Sequence, residues 1–208
     1  MPQLKIPNVI FHNNGDLTFT DLSNEWGLGD PSHSNGTVYS DLDNDGDLDL
    51  VVTSDPLEIE GITYVPLFTY EALLAVSNQH PLSTAHHVRP PDLEGEVLIT
   101  YPVERDRLDI FKQFLDPAGI EPASVRTAEM TVMMMQLVAS GRGVCCLPNW
   151  AMAEYLHKGY VTARRLGPEG LFGTLYAAVR DDMMEMPYLQ DFLLTAKDTS
   201  FATLEGVS

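Results

Sequence analysis

Between Glu96 and Pro148 the chain alternates short apolar runs with stretches of helical periodicity, and this alternation restricts the fold more than any other feature. EVLITY reads as a strand, VERDRLDIFKQFLDPAG as a helix, SVRTAEM as a strand, VMMMQLVAS as a short helix and VCCLP as an apolar strand ended by Pro148. Apolar strands of this kind must be covered on both faces, and intervening helices supply the cover, so the order predicts an α/β fold with a largely parallel sheet. In the first helix Leu108, Phe111 and Leu115 share one face, Glu104 suits the positive end of the dipole, and Gly119 lies just past the end. Thr131 is the expected N-cap of the second helix, which Gly141 and Gly143 stop. Met130, Met133, Met134 and Met135 are expected to fill its core face. YVPLF and ALLAVS read as two earlier strands, followed by a proline-rich loop containing His86 and His87. A helix around NWAMAEYLHKG, strands VTARRL and GTLYAAV and a helix from Pro187 to about Lys197 complete this part.

The beginning of the chain has a different texture. From Val9 to Tyr39 it is rich in Asn, Gly, Asp, Ser and Thr, with alternating pieces such as LTFTDL and TVYSDL separated by turn signals. That is hairpin chemistry without a helical period. The first 55 residues hold ten acids against the single base Lys5, so about a quarter of the chain carries half of the net charge of -18. We therefore divide the chain into a β segment, residues 1–53, and an α/β part, residues 54–208. At the end of the β segment DLDNDGDLD places carboxylates at Asp41, Asp43, Asp45, Asp47 and Asp49, with Gly46 free to take the positive φ that wraps a loop around an ion. Oxygen ligands at every second position suit calcium, which is the metal expected here. Val52 stands where an EF-hand would need its last acidic ligand, so the helix-loop-helix version is disfavoured.

Several function classes are excluded by composition. A sequence pI of about 4.4 opposes a nucleic-acid surface, which needs clustered Lys and Arg. No apolar stretch is long enough to span a bilayer and the start MPQLKIPNVIF lacks a signal-peptide core, so a cytoplasmic chain is expected. Cys145 and Cys146 are neighbours on a strand and point to opposite faces, which makes them buried thiols rather than a bridge or a shared metal site. No nucleophile elbow, metal-ligand spacing or phosphate-binding glycine loop appears, so catalysis is not expected.

Two resemblances sharpen these expectations. NNGDLTFTDLSNEWGLGDPSHSNGTVYSDLDNDGDLDLVVT resembles one FG-GAP/VCBS repeat, the calcium-loop unit of extracellular β-propellers, which implies a calcium-binding adhesion or propeller fragment as the alternative function. GITYVPLFTYEALLAVSNQHPL, EVLITYPVERDRLDIFKQFL, AEMTVMMMQLVASGRGVCCLPNW and GTLYAAVR, in that order, resemble the effector-binding domain of LysR-type transcription regulators. LITYPVERDRLDIF and VRTAEMTVMMMQLVASGRG are similar to the methionine-biosynthesis regulators of that family, whose coeffector is homocysteine. The resemblance implies a periplasmic-binding-protein-like fold with a complete subdomain, residues 92–165, and a truncated one made of residues 54–91 and 166–208. It implies a small-molecule effector held in a cleft, a homo-oligomer, and no membrane contact. It places the effector at Thr100, Tyr101, Pro102, Val103 and Thr131, where strand ends meet helix starts whose free N–H groups suit a carboxylate. The helix-turn-helix of the family does not precede Asp49, and DLDLVVT is a string that either relative could supply, which suggests a chimera. With only one wall of the cleft expected, homocysteine should bind in the millimolar range or not at all.

Overall fold

The computed structural model describes residues 6–7, 11–13, 19–21, 31–32, 38–40 and 49–208. The chain forms two compact units, Met1–Gly36 and Thr37–Ser208. In the first, β1 (Ile6–Pro7) pairs with β4 (Pro31–Ser32), and β2 (Phe11–Asn13) with β3 (Phe19–Asp21), both antiparallel.

The second unit is built on one mixed eight-stranded sheet. Its strands are β5 (Val38–Ser40), β6 (Leu50–Thr53), β7 (Ile62–Val76), β8 (Val97–Thr100), β9 (Ser124–Thr127), β10 (Val144–Pro148), β11 (Thr162–Arg165) and β12 (Leu171–Arg180). The order across the sheet is β5, β6, β12, β7, β10, β8, β9, with β11 continuing the line of β12 along the same edge of β7. β8 runs parallel to both β9 and β10, as the alternation of strands and helices predicts, while β7 is antiparallel to β10, β11 and β12. Leu50–Thr53, from the string DLDLVVT, is an interior strand paired with β5 and β12, so it joins the larger unit.

YVPLF and ALLAVS are not two strands but one. β7 runs unbroken for 15 residues with Pro66 inside it. The missing N–H is absorbed by a register shift: Phe68 faces Leu175 and Pro66 faces Tyr176, which leaves Leu67 as the extra residue of a bulge.

The far half of β7 is covered on both faces. Leu74, Val76, Leu98 and Val144 face Ile110, Phe111 and Leu115 on one side. Ala75, Ile99, Cys145 and Leu147 face Met134, Met135, Val138 and Met152 on the other. Each large side chain sealed in these layers contributes roughly 1.5–3 kcal/mol. Two of the four methionines depart from expectation, because Met130 and Met133 are exposed while Met134 and Met135 are buried. A third cluster joins the near half of β7 to the last helix through Leu50, Phe68, Val179, Leu189 and Leu193.

Among the described residues three α-helices flank the sheet: α1 (Thr131–Ala139), α2 (Asn149–His157) and α3 (Pro187–Thr203), the last reaching beyond the expected Lys197. The long helix expected over VERDRLDIFKQFLDPAG is replaced by a 3-10 turn at Arg105–Arg107, a π-helical segment at Ile110–Leu115 and a second 3-10 turn at Asp116–Ala118. Pro117 explains the tight last turn, since it has no N–H to give and crowds the preceding carbonyl. The apolar face still holds, with Phe111 and Leu115 buried and Leu108 packed beside them.

Candidate functional site

A cavity of about 280 Å³ opens on the larger unit. One wall is Ser54, Asp55 and Pro56 together with Phe172, Gly173, Thr174 and Tyr176 of β12; the other is Arg107, Asp109, Lys112 and Gln113.

The first wall follows from the end of β6. There the Asp55 amide donates to Thr53 Oγ1 at 3.1 Å, a short turn that directs the Asp55 side chain across the cavity. Arg107 Nε donates to Asp55 Oδ2 at 2.8 Å, an ion pair that ties residues 52 positions apart. Both groups are partly exposed, so the tie is worth at most about 1 kcal/mol.

The second wall follows from the π-helical segment, a winding frequent at functional sites. Arg105 lies with its guanidinium 4.1 Å from the ring centre of Phe111 and pairs with Asp116 and Glu121, which clamps both ends of the segment. That fixes Asp109, Lys112 and Gln113 toward the cavity while Phe111 and Leu115 face the core. Asp109 Oδ1 accepts from Gln113 Nε2 at 2.7 Å. Burial pushes the Asp109 carboxyl above the usual carboxylate range, the nearby charge of Asp55 pushes the same way, and Gln113 and Lys112 only partly offset them. Lys112 has no hydrogen-bond or ion-pair partner among the described residues.

Beneath β12 the ring of Tyr70 passes so close that a Cβ on Gly173 would lie 2.6 Å from its Cζ and Oη. Burial, and next the charge of Asp109, raise the Tyr70 hydroxyl to about 12, so at neutral pH it remains a hydrogen-bonding phenol, in contact with Ser54.

The residues singled out from sequence form a separate group. Thr100 is buried at the end of β8, and its carbonyl accepts from the Ala128 amide at 3.0 Å. Tyr101 Oη and Thr131 Oγ1 are hydrogen-bonded at 2.6 Å, which brings those two together. Pro102 and Val103 continue the turn, and none of the five lines the cavity. Two details are corrected. Thr131 is the first residue inside α1, with extended Met130 in the capping position, because the Thr131 hydroxyl is committed to Tyr101. No long helix begins after Val103, so the dipole argument for that turn fails.

Asp41, Asp43, Asp45 and Asp47 lie outside the described residues. Asp49 is 1% exposed and accepts from the Tyr188 hydroxyl at 2.8 Å. Cys145 is buried, with its thiol pushed up to about 12 by desolvation, and Cys146 is shifted in the same direction, so neither is a thiolate at neutral pH.

Asp55, Arg107, Asp109 and Lys112 were missed in the sequence although a signal existed. RDRLDIFKQ carries alternating charges on the side opposite Leu108, Phe111 and Leu115, and SDP follows directly on the apolar strand LVVT.

This architecture and this sequence have relatives. Residues 34–200 match the LysR substrate binding domain. The chain belongs to this family. The LysR match begins upstream of the aspartate-rich loop and runs across the string DLDLVVT without a break. Among LysR regulators, the HTH-type transcriptional regulator MetR of Escherichia coli (strain K12) is 41% identical over 153 residues, which are 74% of this chain and 48% of that protein. MetR of Haemophilus influenzae is 41% identical over 160 residues, 77% of this chain and 52% of that protein. The chain thus spans about half the length of the curated relatives it matches. The regulatory domain of MetR from N. meningitidis, a LysR family regulator, superposes with a TM-score of 0.72 at 40% identity over 77% of each chain. The effector binding domain of QuiR in complex with shikimate shares the fold, with a TM-score of 0.62 at 18% identity over 75% of this chain and 73% of that one. Both MetR relatives are HTH-type transcriptional regulators. No helix among the described residues is long and apolar enough to cross a membrane.

Proposed function

We propose that this chain is the effector-sensing module of a MetR-like regulator of methionine biosynthesis, acting in the cytoplasm as a homo-oligomer and responding to homocysteine. The observation that carries this reading is the 41% identity to MetR across three quarters of the chain. The two-walled cavity supports it, being of a size and polarity suited to a small metabolite. With its charge of -18 the chain itself takes no DNA-binding role.

Two positions compete for the effector. The cavity is favoured because it has volume and charged walls. The Tyr101–Thr131 pair is the second position, favoured by its 2.6 Å hydrogen bond at the start of α1. Calorimetry under reducing conditions tests the reading, with saturable homocysteine binding expected and methionine at least about tenfold weaker, since the added methyl must be housed and the thiol is lost. No saturable heat and no thermal stabilisation at millimolar homocysteine refutes it. Thr131→Val and Tyr101→Phe leave the affinity unchanged if the ligand sits in the cavity, and lower it if the ligand sits at the turn.

A further inference from the structure

The loop that joins β7 to β8 holds two neighbouring histidines, His86 and His87, in a frame that is fixed on both sides. Pro81 starts a 3-10 turn at Pro81–Thr84, and Pro90 and Pro91 start another at Pro90–Leu93, so proline presets the backbone before and after the pair. Val88, the next residue, is fully buried and tied to the sheet region: its amide donates to the Arg165 carbonyl and its carbonyl accepts from the Gly167 amide, both at 2.8 Å. Beyond it the Arg89 amide donates to Asp92 Oδ2 at 2.8 Å and the Arg89 guanidinium to Asp92 Oδ1 at 2.8 Å, which closes the second turn and leaves these two charges paired with each other.

Within this frame the Nδ1 atoms of His86 and His87 lie 3.4 Å apart, with the two rings perpendicular. That is long for a hydrogen bond between nitrogens, and two bare lone pairs so placed repel. It does suit a shared cation, since two nitrogens each about 2.0–2.1 Å from a tetrahedral zinc ion are themselves about 3.3–3.4 Å apart. Histidine χ2 is a broad torsion, so a small turn of the exposed His86 ring brings both lone pairs to one point. Among the described residues no third His, Cys, Asp or Glu completes a metal-holding group. Neither histidine lines the cavity.

We propose that His86 and His87 form a zinc-type site, in which both Nδ1 atoms bind one divalent transition cation and water fills the remaining positions. Imidazole nitrogens suit zinc, whereas magnesium and calcium prefer oxygen. Because the two proline turns and Val88 already hold the backbone, binding has only two side chains to order, and the bound cation staples the β7–β8 loop. With Nδ1 on the metal, the proton of each neutral ring sits on Nε2. The proposal does not rest on the reading of the cavity as the effector site.

The test is calorimetry of the full chain with zinc, with magnesium as the control. Zinc is expected to give a saturable heat that magnesium does not. His86→Ala and His87→Ala are each expected to weaken it about tenfold or more, and the double substitution to abolish it. Asp43→Ala with Asp45→Ala is expected to leave it unchanged, which separates it from any cation held by the aspartate-rich loop. Nitrogen NMR of the imidazoles gives the second readout, with the Nδ1 resonances of both rings expected to shift on zinc addition and both protons found on Nε2. Matching thermal unfolding curves without metal show that the variants are folded. Zinc affinity that survives the double substitution, the absence of any zinc heat, or zinc-induced shifts at Nε2 in place of Nδ1 overturns the proposal.

Discussion

Gly143→Ala should make this protein easier to unfold, and the structure separates the causes. Gly143 sits at φ +151°, and a Cβ there would lie 2.5 Å from the carbonyl oxygen of Val97 and 3.1 Å from two side-chain carbons of Ile99. The oxygen belongs to the neighbouring parallel strand β8, which is bonded to β10 from Val144 onward, so it cannot retreat without opening the ladder. The backbone conformation costs about 1–3 kcal/mol for a residue with a Cβ, and forcing a methyl into a closed space costs about 1–3 kcal/mol more. We expect a loss of about 3 kcal/mol, or about 6–12 °C in melting temperature for a chain of this size. Gly119→Ala isolates the conformational part, because Gly119 has φ +66° but nothing within 4 Å of its missing Cβ; about 1–2 kcal/mol is expected. Gly95→Ala has neither a positive φ nor a neighbour and should be near neutral. Urea unfolding of the three variants decides the matter. A loss at Gly143 no greater than at Gly119 would show that steric contact across β8 and β10 contributes nothing.

Asp109→Asn should stabilise the fold at neutral pH. The folded state holds this carboxyl above its unfolded value, so ionisation opposes folding at pH above the folded value, and the penalty fades as pH falls below the ordinary carboxylate range. The variant should therefore exceed the parent at pH 7 and match it in acid; urea midpoints across that range check it, and a variant weaker at pH 7 sinks the argument. For the aspartate-rich loop, calcium should give calorimetric heat that Asp43→Ala with Asp45→Ala abolishes. Because Asp49 is buried against Tyr188, Asp49→Ala should lower the melting temperature with or without calcium. Indifference of the parent chain to calcium, in both heat and melting, refutes the loop as a metal site.

Much of the fold was legible because it rests on burial. The apolar runs EVLITY and VCCLP are parallel neighbours in the sheet, and the face of Leu108, Phe111 and Leu115 meets the core as its spacing requires. What escaped the sequence depends on partners far away in the chain. A proline inside YVPLF looks like a strand end until a bulge against Tyr176 absorbs it. A threonine before a helical run looks like a cap until the hydroxyl of Tyr101, 30 positions earlier, claims it. Gly143 reads as a helix stop, yet its role is to let one strand touch the next. The cavity was hidden for the same reason: Asp55 and Arg107 are unremarkable surface charges until the fold sets them 2.8 Å apart.

The unbroken course of β7 has a mechanical consequence for sensing. Its far end, Leu74 and Val76, carries the segment with Lys112, while its near end, through β12, carries Thr174 and Tyr176. A ribbon of 15 residues paired with β11 and β12 cannot slide along its own length without breaking a ladder bond at each step. It can wind, because the angle between neighbouring strands ranges from about −10 to −35° with the bonds intact. On the proposed function, β7 would act as a torsion rod rather than a door on a hinge, and occupancy of the cavity would be transmitted as a change in its winding.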